Sequence, residues 1–182
     1  MLIGICGKSG SGKSTISNYL KEELGAIHCD IDKIGHYVLI LPNVQKDLID
    51  SFGIEICEDG KINRKKLGQI VFNSIDKMKI LEQITWKHME IEIDKIINQN
   101  KDKIVILDWQ LLPKTKYLNL CDLKILIDIP YEIRKQRLLK RDNISEDKIE
   151  LREKASIIYN KNDFDYVFNT NDNENIKRLV KL

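Results

Sequence analysis

The octet Gly7-Lys8-Ser9-Gly10-Ser11-Gly12-Lys13-Ser14 constrains this chain more than any other stretch, because it joins the apolar run Leu2-Ile3-Gly4-Ile5-Cys6 to a helical pattern. It fits G-x-x-x-x-G-K-[ST] between a strand and a helix, the context in which that pattern builds a phosphate-binding loop. Glycines let successive backbone N–H groups turn toward phosphate oxygens, and the helix behind them adds the positive end of its dipole. Gly7, Lys8, Ser9, Gly10, Ser11, Gly12, Lys13, Ser14 and Thr15 are therefore the candidate nucleoside triphosphate site. Lys13 is expected at the β- and γ-phosphates and the Ser14 hydroxyl on Mg²⁺. A flexible Gly/Ser turn is the plain alternative, and the flanking strand and helix argue against it.

The 182 residues suit one compact domain able to bury most of its unfolded surface without staples. Thirty Lys+Arg against 28 Asp+Glu leave a formal charge of +2. That balance supplies no global field for a nucleic-acid backbone or an anionic membrane, so neither partner is expected. Cys6, Cys29, Cys57 and Cys121 lack C-x-x-C spacing, and His28, His36 and His88 do not complete a ligand pattern with them. They read as reduced, apolar filler with no zinc site. The sequence begins directly in an apolar strand and has no run of 18 apolar residues, so a cytoplasmic location is expected.

Strands and helices alternate. Ile16, Leu20 and Leu24 mark the first helix, which Gly25 ends. Ala26 to Cys29 reads as a short buried strand ending at Asp30-Ile31-Asp32, and such strand ends face ligands in α/β sheets. From Lys33 to Asn100 the pattern is helical, broken at Leu41-Pro42, at Gly53 and at Glu58-Asp59-Gly60. Lys103 to Asp108, Leu123 to Asp128 and Tyr166 to Phe168 complete five strands. Strands joined through helices pair in parallel, which predicts a three-layer α/β/α sandwich with the loop at the carboxyl edge of the sheet.

Three further groups narrow the chemistry. Asp108 closes an apolar strand, where a carboxylate can stand beside Mg²⁺; its alternative is a turn cap. Asp32 lies just past the second strand, placed either to accept a proton from an incoming hydroxyl or to cap the helix that follows. Arg134, Arg137 and Arg141 recur at i, i+3 and i+7 after Pro130, so they share one helical face suited to phosphate, or form a solvated face with Lys135 and Lys140.

The loop, Asp30-Ile31-Asp32, Ser51-Phe52-Gly53, Asp59 to Leu67, Val71-Phe72, Leu81 to Ile84, Leu107 to Leu112, Arg137 to Asp142 and Asp165-Tyr166-Val167 follow the order and spacing of bacterial dephospho-CoA kinases, which the chain resembles over nearly its whole length. The resemblance implies a P-loop kinase fold with a helical acceptor-binding insertion and a helical lid. It divides a single domain, 1–182, into a core (1–32, 101–130 and 163–182), an acceptor-side helical region (33–100) and a lid region (131–162). It further implies transfer of the ATP γ-phosphate to the ribose 3′-hydroxyl of dephospho-CoA. The implied catalytic residues are Lys13, Asp32 as base, and the lid arginines Arg137 and Arg141, with Arg152 at the lid's far side. Ser14 and Asp108 would serve Mg²⁺.

Departures from the family pattern fall on the acceptor and lid sides. Trp86-Lys87 replaces His-Pro, Gln110 and Lys114 stand at the ends of an altered Pro-Leu-Leu-Phe-Glu segment, and Ser156 replaces a Gln. Trp86 offers a stacking face or fills a core, and Lys87 adds a cation. Two other readings keep the loop: a kinase acting on another nucleoside-like hydroxyl, and a non-catalytic nucleotide-binding module. Retention of Asp32, Asp108 and the arginines favours an enzyme, since a binder needs no acceptor-side carboxylate.

Overall fold

The computed structural model describes residues 1–72, 74–142 and 144–169. The chain forms two compact units, one of Met1–Asp30 with Asn100 onward, the other of Ile31–Gln99.

The first unit is built on β1 (Leu2–Gly7), whose six residues are all buried. A strand covered on both faces reads as a continuous apolar run, which is why its sequence does not alternate. With β2 (Ile27–Asp30), β5 (Val105–Asp108), β6 (Leu123–Ile127) and β7 (Tyr166–Phe168) it forms a five-stranded sheet in the order β2-β5-β1-β6-β7. Every pairing is parallel. The third and fourth expected strands are shorter than predicted, starting at Val105 and stopping at Ile127. Of the expected core segment 163–182, residues 170–182 lie outside the described residues.

Successive strand residues face opposite sides of a sheet, and β1 uses both. Ile3 and Ile5 pack with Ile16 and Leu20 of α1 (Lys13–Leu24) and with Ile106 and Ile125 of the neighbouring strands. Gly4 faces the other way. A β-carbon there would stand 2.8 Å from the Cys121 sulfur, just past α6 (Tyr117–Leu120), so only glycine lets that segment close on the sheet. Gly25 stops α1 at a φ of 61°, the left-handed end that glycine adopts without strain. Helices α7 (Tyr131–Asp142) and α8 (Glu146–Lys154) also belong to this unit.

The second unit holds α2 (Ile31–Val38), α3 (Pro42–Phe52), α4 (Arg64–Val71) and the long α5 (Ile75–Gln99). A hairpin of β3 (Cys57–Glu58) and β4 (Lys61–Ile62) turns through Asp59 and Gly60, both at positive φ. The breaks foreseen at Pro42, Gly53 and this turn fall at element boundaries. Pro42 opens α3, and the Asn63 side chain caps α4 by accepting from the Lys65 and Lys66 amides. Val44, Leu48, Phe52, Ile56, Leu67 and Val71 form the unit's own core. Among the described residues no helix is long and apolar enough to cross a membrane.

Ile106 is fully buried on β5, beside the central strand. Ile106→Ala should lower unfolding free energy by about 2–5 kcal/mol in urea titrations. Leu151→Ala, at a residue 60% exposed, should change it by less than about 0.5 kcal/mol.

Candidate active site

The loop between β1 and α1 is shaped by close backbone approach. A β-carbon at Gly7 would lie 2.6 Å from both the Ile127 carbonyl oxygen and Ser11 Oγ. Gly10, at a φ of 78°, would meet the Arg134 carbonyl at 2.9 Å, and Gly12 adopts a φ of 90°. Side chains at Gly7 and Gly10 would displace the loop from the sheet or from α7. Helix α1 starts at Lys13 with no side-chain cap, so its first N–H groups keep their capacity for an anion. Ser14 and Thr15, in its first turn, are exposed.

Residues from the far end of the chain brace this loop. The Glu153 carboxylate accepts two bonds from Arg134, both 2.9 Å, and one from Lys8 Nζ at 2.7 Å. Arg134, only 5% exposed, also donates from Nε to the Ile129 carbonyl and reaches the Ser9 carbonyl at 3.3 Å. Burial pushes the Glu153 carboxyl up, but the bonds from Arg134 and Lys8 outweigh it and hold the group below the usual glutamate range. Arg137 donates to the Gly10 and Ser11 carbonyls at 3.3 Å. Tyr159 accepts from the Gly7 N–H at 3.2 Å and donates to the Gln110 carbonyl at 2.9 Å. Burial drives its phenol far above the ordinary range, so it serves here as a neutral hydroxyl.

Asp108 ends β5 in register with Ile5 of β1 and Asp30 of β2, at the carboxyl edge of the sheet. It is buried, and its Oδ2 accepts from Ser17 Oγ at 2.9 Å and faces His28 Nε2 at 3.2 Å. Asp32 belongs to the other unit, in the first turn of α2, and is the second helical residue rather than the cap preceding the helix.

The three arginines diverge despite their shared spacing. Arg134 is a buried brace and Arg137 touches the loop, whereas Arg141 bonds Asp142 at 2.6 and 3.1 Å with its side chain 66% exposed. That bond raises the Arg141 guanidinium further and holds the Asp142 carboxyl below its ordinary value. Arg152 stands 3.5 Å from the same carboxylate. Lys135, a candidate solvated cation, pairs with Glu146 of α8. Among the departures, Lys87 lies 3.6 Å from Asp47, the Ser156 hydroxyl bonds the Glu153 carbonyl at the end of α8, and Gln110 Oε1 lies 3.4 Å from Ser9 Oγ. Gln110 thus borders the phosphate loop. Cys6, Cys29 and Cys121 are buried, and burial lifts the thiols of Cys29 and Cys121 to about 12, in keeping with apolar filler.

Sequence reasoning did not single out Glu153, Tyr159, Ser17 or His28, and it did not assign Arg134 a separate role. Ser17 alone carried a local signal, one helical turn beyond Lys13. The others act across the fold and have none.

The dephospho-CoA kinase (CoaE) family model matches residues 1–174. A dephospho-CoA kinase from Aquifex aeolicus is 38% identical over 148 residues, covering 80% of this chain and 75% of the relative. Among solved structures, TT1252 from Thermus thermophilus superposes with a TM-score of 0.84 at 25% identity, covering 100% of this chain and 94% of that one. A dephospho-CoA kinase from Campylobacter jejuni gives a TM-score of 0.58 at 25% identity, covering 99% and 93%.

Because the Glu153 carboxyl is held below its ordinary value of 4.5, it stabilises the folded state above that value and loses the contribution as pH falls through and below it. Chemical denaturation between pH 3 and 7 should show a shallower acid dependence for Glu153→Gln than for the parent. Tyr159→Phe, which leaves the Gly7 N–H and Gln110 carbonyl without this partner, should cost about 1–3 kcal/mol in the same assay at pH 7.

Proposed function

The chain belongs to the dephospho-CoA kinase family, and from that premise we propose that it transfers the γ-phosphoryl group of ATP to the ribose 3′-hydroxyl of dephospho-CoA, giving CoA and ADP. The observation that carries this reading is the family match over residues 1–174. The loop geometry supports it, with an uncapped helix start following glycines that hold the backbone against the sheet.

Phosphoryl transfer asks a protein for positioning and charge stabilisation more than for covalent chemistry. The loop N–H groups and Lys13 would hold the β- and γ-phosphates, with Gly7 to Thr15 as the ATP-binding segment. Ser14 and Asp108 would hold Mg²⁺, to which their hydroxyl and carboxylate oxygens are chemically suited. When bound, that ion neutralises charge on the transferring phosphoryl group. Asp32 would accept the 3′-hydroxyl proton as that oxygen bonds phosphorus and the bond to the ADP oxygen breaks. Arg137 already lies on the loop carbonyls; it and Arg141 would pair with phosphate oxygens, Arg141 after releasing Asp142. Residues 33–100 are assigned to acceptor binding, 131–162 to the lid, and the enzyme to the cytoplasm.

Mass spectrometry of reactions containing Mg-ATP and dephospho-CoA should detect CoA. Lys13→Ala should abolish it. Asp32→Asn should lower kcat by about 10² to 10⁴-fold while calorimetric ATP affinity stays near that of the parent. ATP binding with no CoA at saturating dephospho-CoA would overturn the acceptor assignment, and an active Asp32→Asn protein would remove Asp32 from the mechanism.

A further inference from the structure

Among the described residues, both side-chain hydrogen-bond partners of Asp108 lie on one oxygen. Oδ2 is 2.9 Å from Ser17 Oγ and 3.2 Å from His28 Nε2. The Ser17 hydroxyl has a single proton and two acceptors within reach, the second being the Lys13 carbonyl at 3.0 Å. That carbonyl is the ordinary i−4 acceptor of a helical serine, so the Ser17 proton is divided between them. His28 is differently placed. On β2 it pairs in register with Ile106 of β5, which puts it on the same face of the sheet as Asp108 and diagonally across from it. Its side chain is 11% exposed. A carboxylate in its metal-binding form only accepts, so the ring that bonds it carries its proton on Nε2.

We propose that His28 is a positioning residue for Asp108, fixing Oδ2 by a committed N–H donor and leaving Oδ1 as the oxygen for Mg²⁺ or its water. The inference rests on the reading above, in which Asp108 faces the metal. Carboxylates at metal sites are themselves oriented by hydrogen bonds, and removing such a partner typically weakens metal affinity by about 10–100-fold. A histidine placed only to fill the strand's surroundings would have no such effect, since packing does not require a donor aimed at one carboxylate oxygen.

The test titrates Mn²⁺ into the full chain saturated with a non-hydrolysable ATP analogue, followed by electron paramagnetic resonance. Nucleotide affinity is measured separately by calorimetry in EDTA. H28F, which keeps an aromatic ring and lacks the donor, should weaken Mn²⁺ binding about 10-fold without changing metal-free nucleotide affinity. H28Q, which restores an N–H donor, should recover most of the loss. If H28F does not fold, H28V makes the same comparison. Parent-like Mn²⁺ affinity in the donor-less variant, or an H28Q protein no better than it, overturns the proposal. D108N separates the two levels. If D108N leaves Mn²⁺ affinity intact, the metal assignment fails and the role of His28 with it. If D108N weakens the metal and H28F does not, only the role of His28 is lost.

Discussion

The Ile127 carbonyl lies where a side chain at position 7 would have to be, and the phosphate loop depends on that contact. β1 is the central strand and is buried on both faces, so the chain can leave it only at its carboxyl end. Leaving there without lifting off β6 requires a residue that has no β-carbon. Gly10 meets the same demand against α7, and Gly12 holds a φ of 90° at the start of α1. Each glycine gives up backbone entropy on folding, and burial of the sheet offsets that cost. The anion site follows from the turn, because a backbone bent so tightly presents its N–H groups to one side.

Charge around the loop is arranged with equal economy. Lys8 lies within the consensus and would, from sequence, be grouped with the phosphate ligands, yet its ammonium is bound to Glu153. The same carboxylate balances the buried Arg134 guanidinium, which an apolar interior would otherwise disfavour strongly. Since Arg134 also reaches the Ser9 carbonyl, one acidic side chain on α8 secures α7 and the loop together. Lys8 is thereby a bracing residue, which leaves Lys13 as the lysine proposed for the phosphates.

What could be read from the sequence was whatever is local in it. Five parallel strands were legible because doubly buried strands are continuous apolar runs, and the loop was legible because its glycines and Lys13 fall within one short stretch. Strand ends were less so, since Lys103 and Asp128 flank apolar runs yet fall outside the strands. The brace was hidden. Lys8 and Glu153 lie 145 positions apart, and α8 offers Glu146 and Glu150 as equally plausible partners. His28 and Asp108 are 80 positions apart. The arginine spacing gave a shared helical face but not the nearest acceptor on it, and for Arg141 that acceptor is its own neighbour Asp142.

The departures from the family pattern take their meaning from these contacts. Gln110 stands where the acceptor segment is altered, yet its carbonyl receives the Tyr159 hydroxyl, whose oxygen in turn takes the Gly7 N–H, and its side chain faces Ser9. Lys87 is engaged by Asp47, and Ser156 closes the last turn of α8 beside Glu153. Each of these residues therefore has a partner within its own unit, and two of the three support the phosphate loop or the helix that braces it. The Tyr159 bond uses the backbone carbonyl of Gln110, so it does not depend on which side chain stands there. Asp32 and Asp108, which transfer does require in this reading, are both retained.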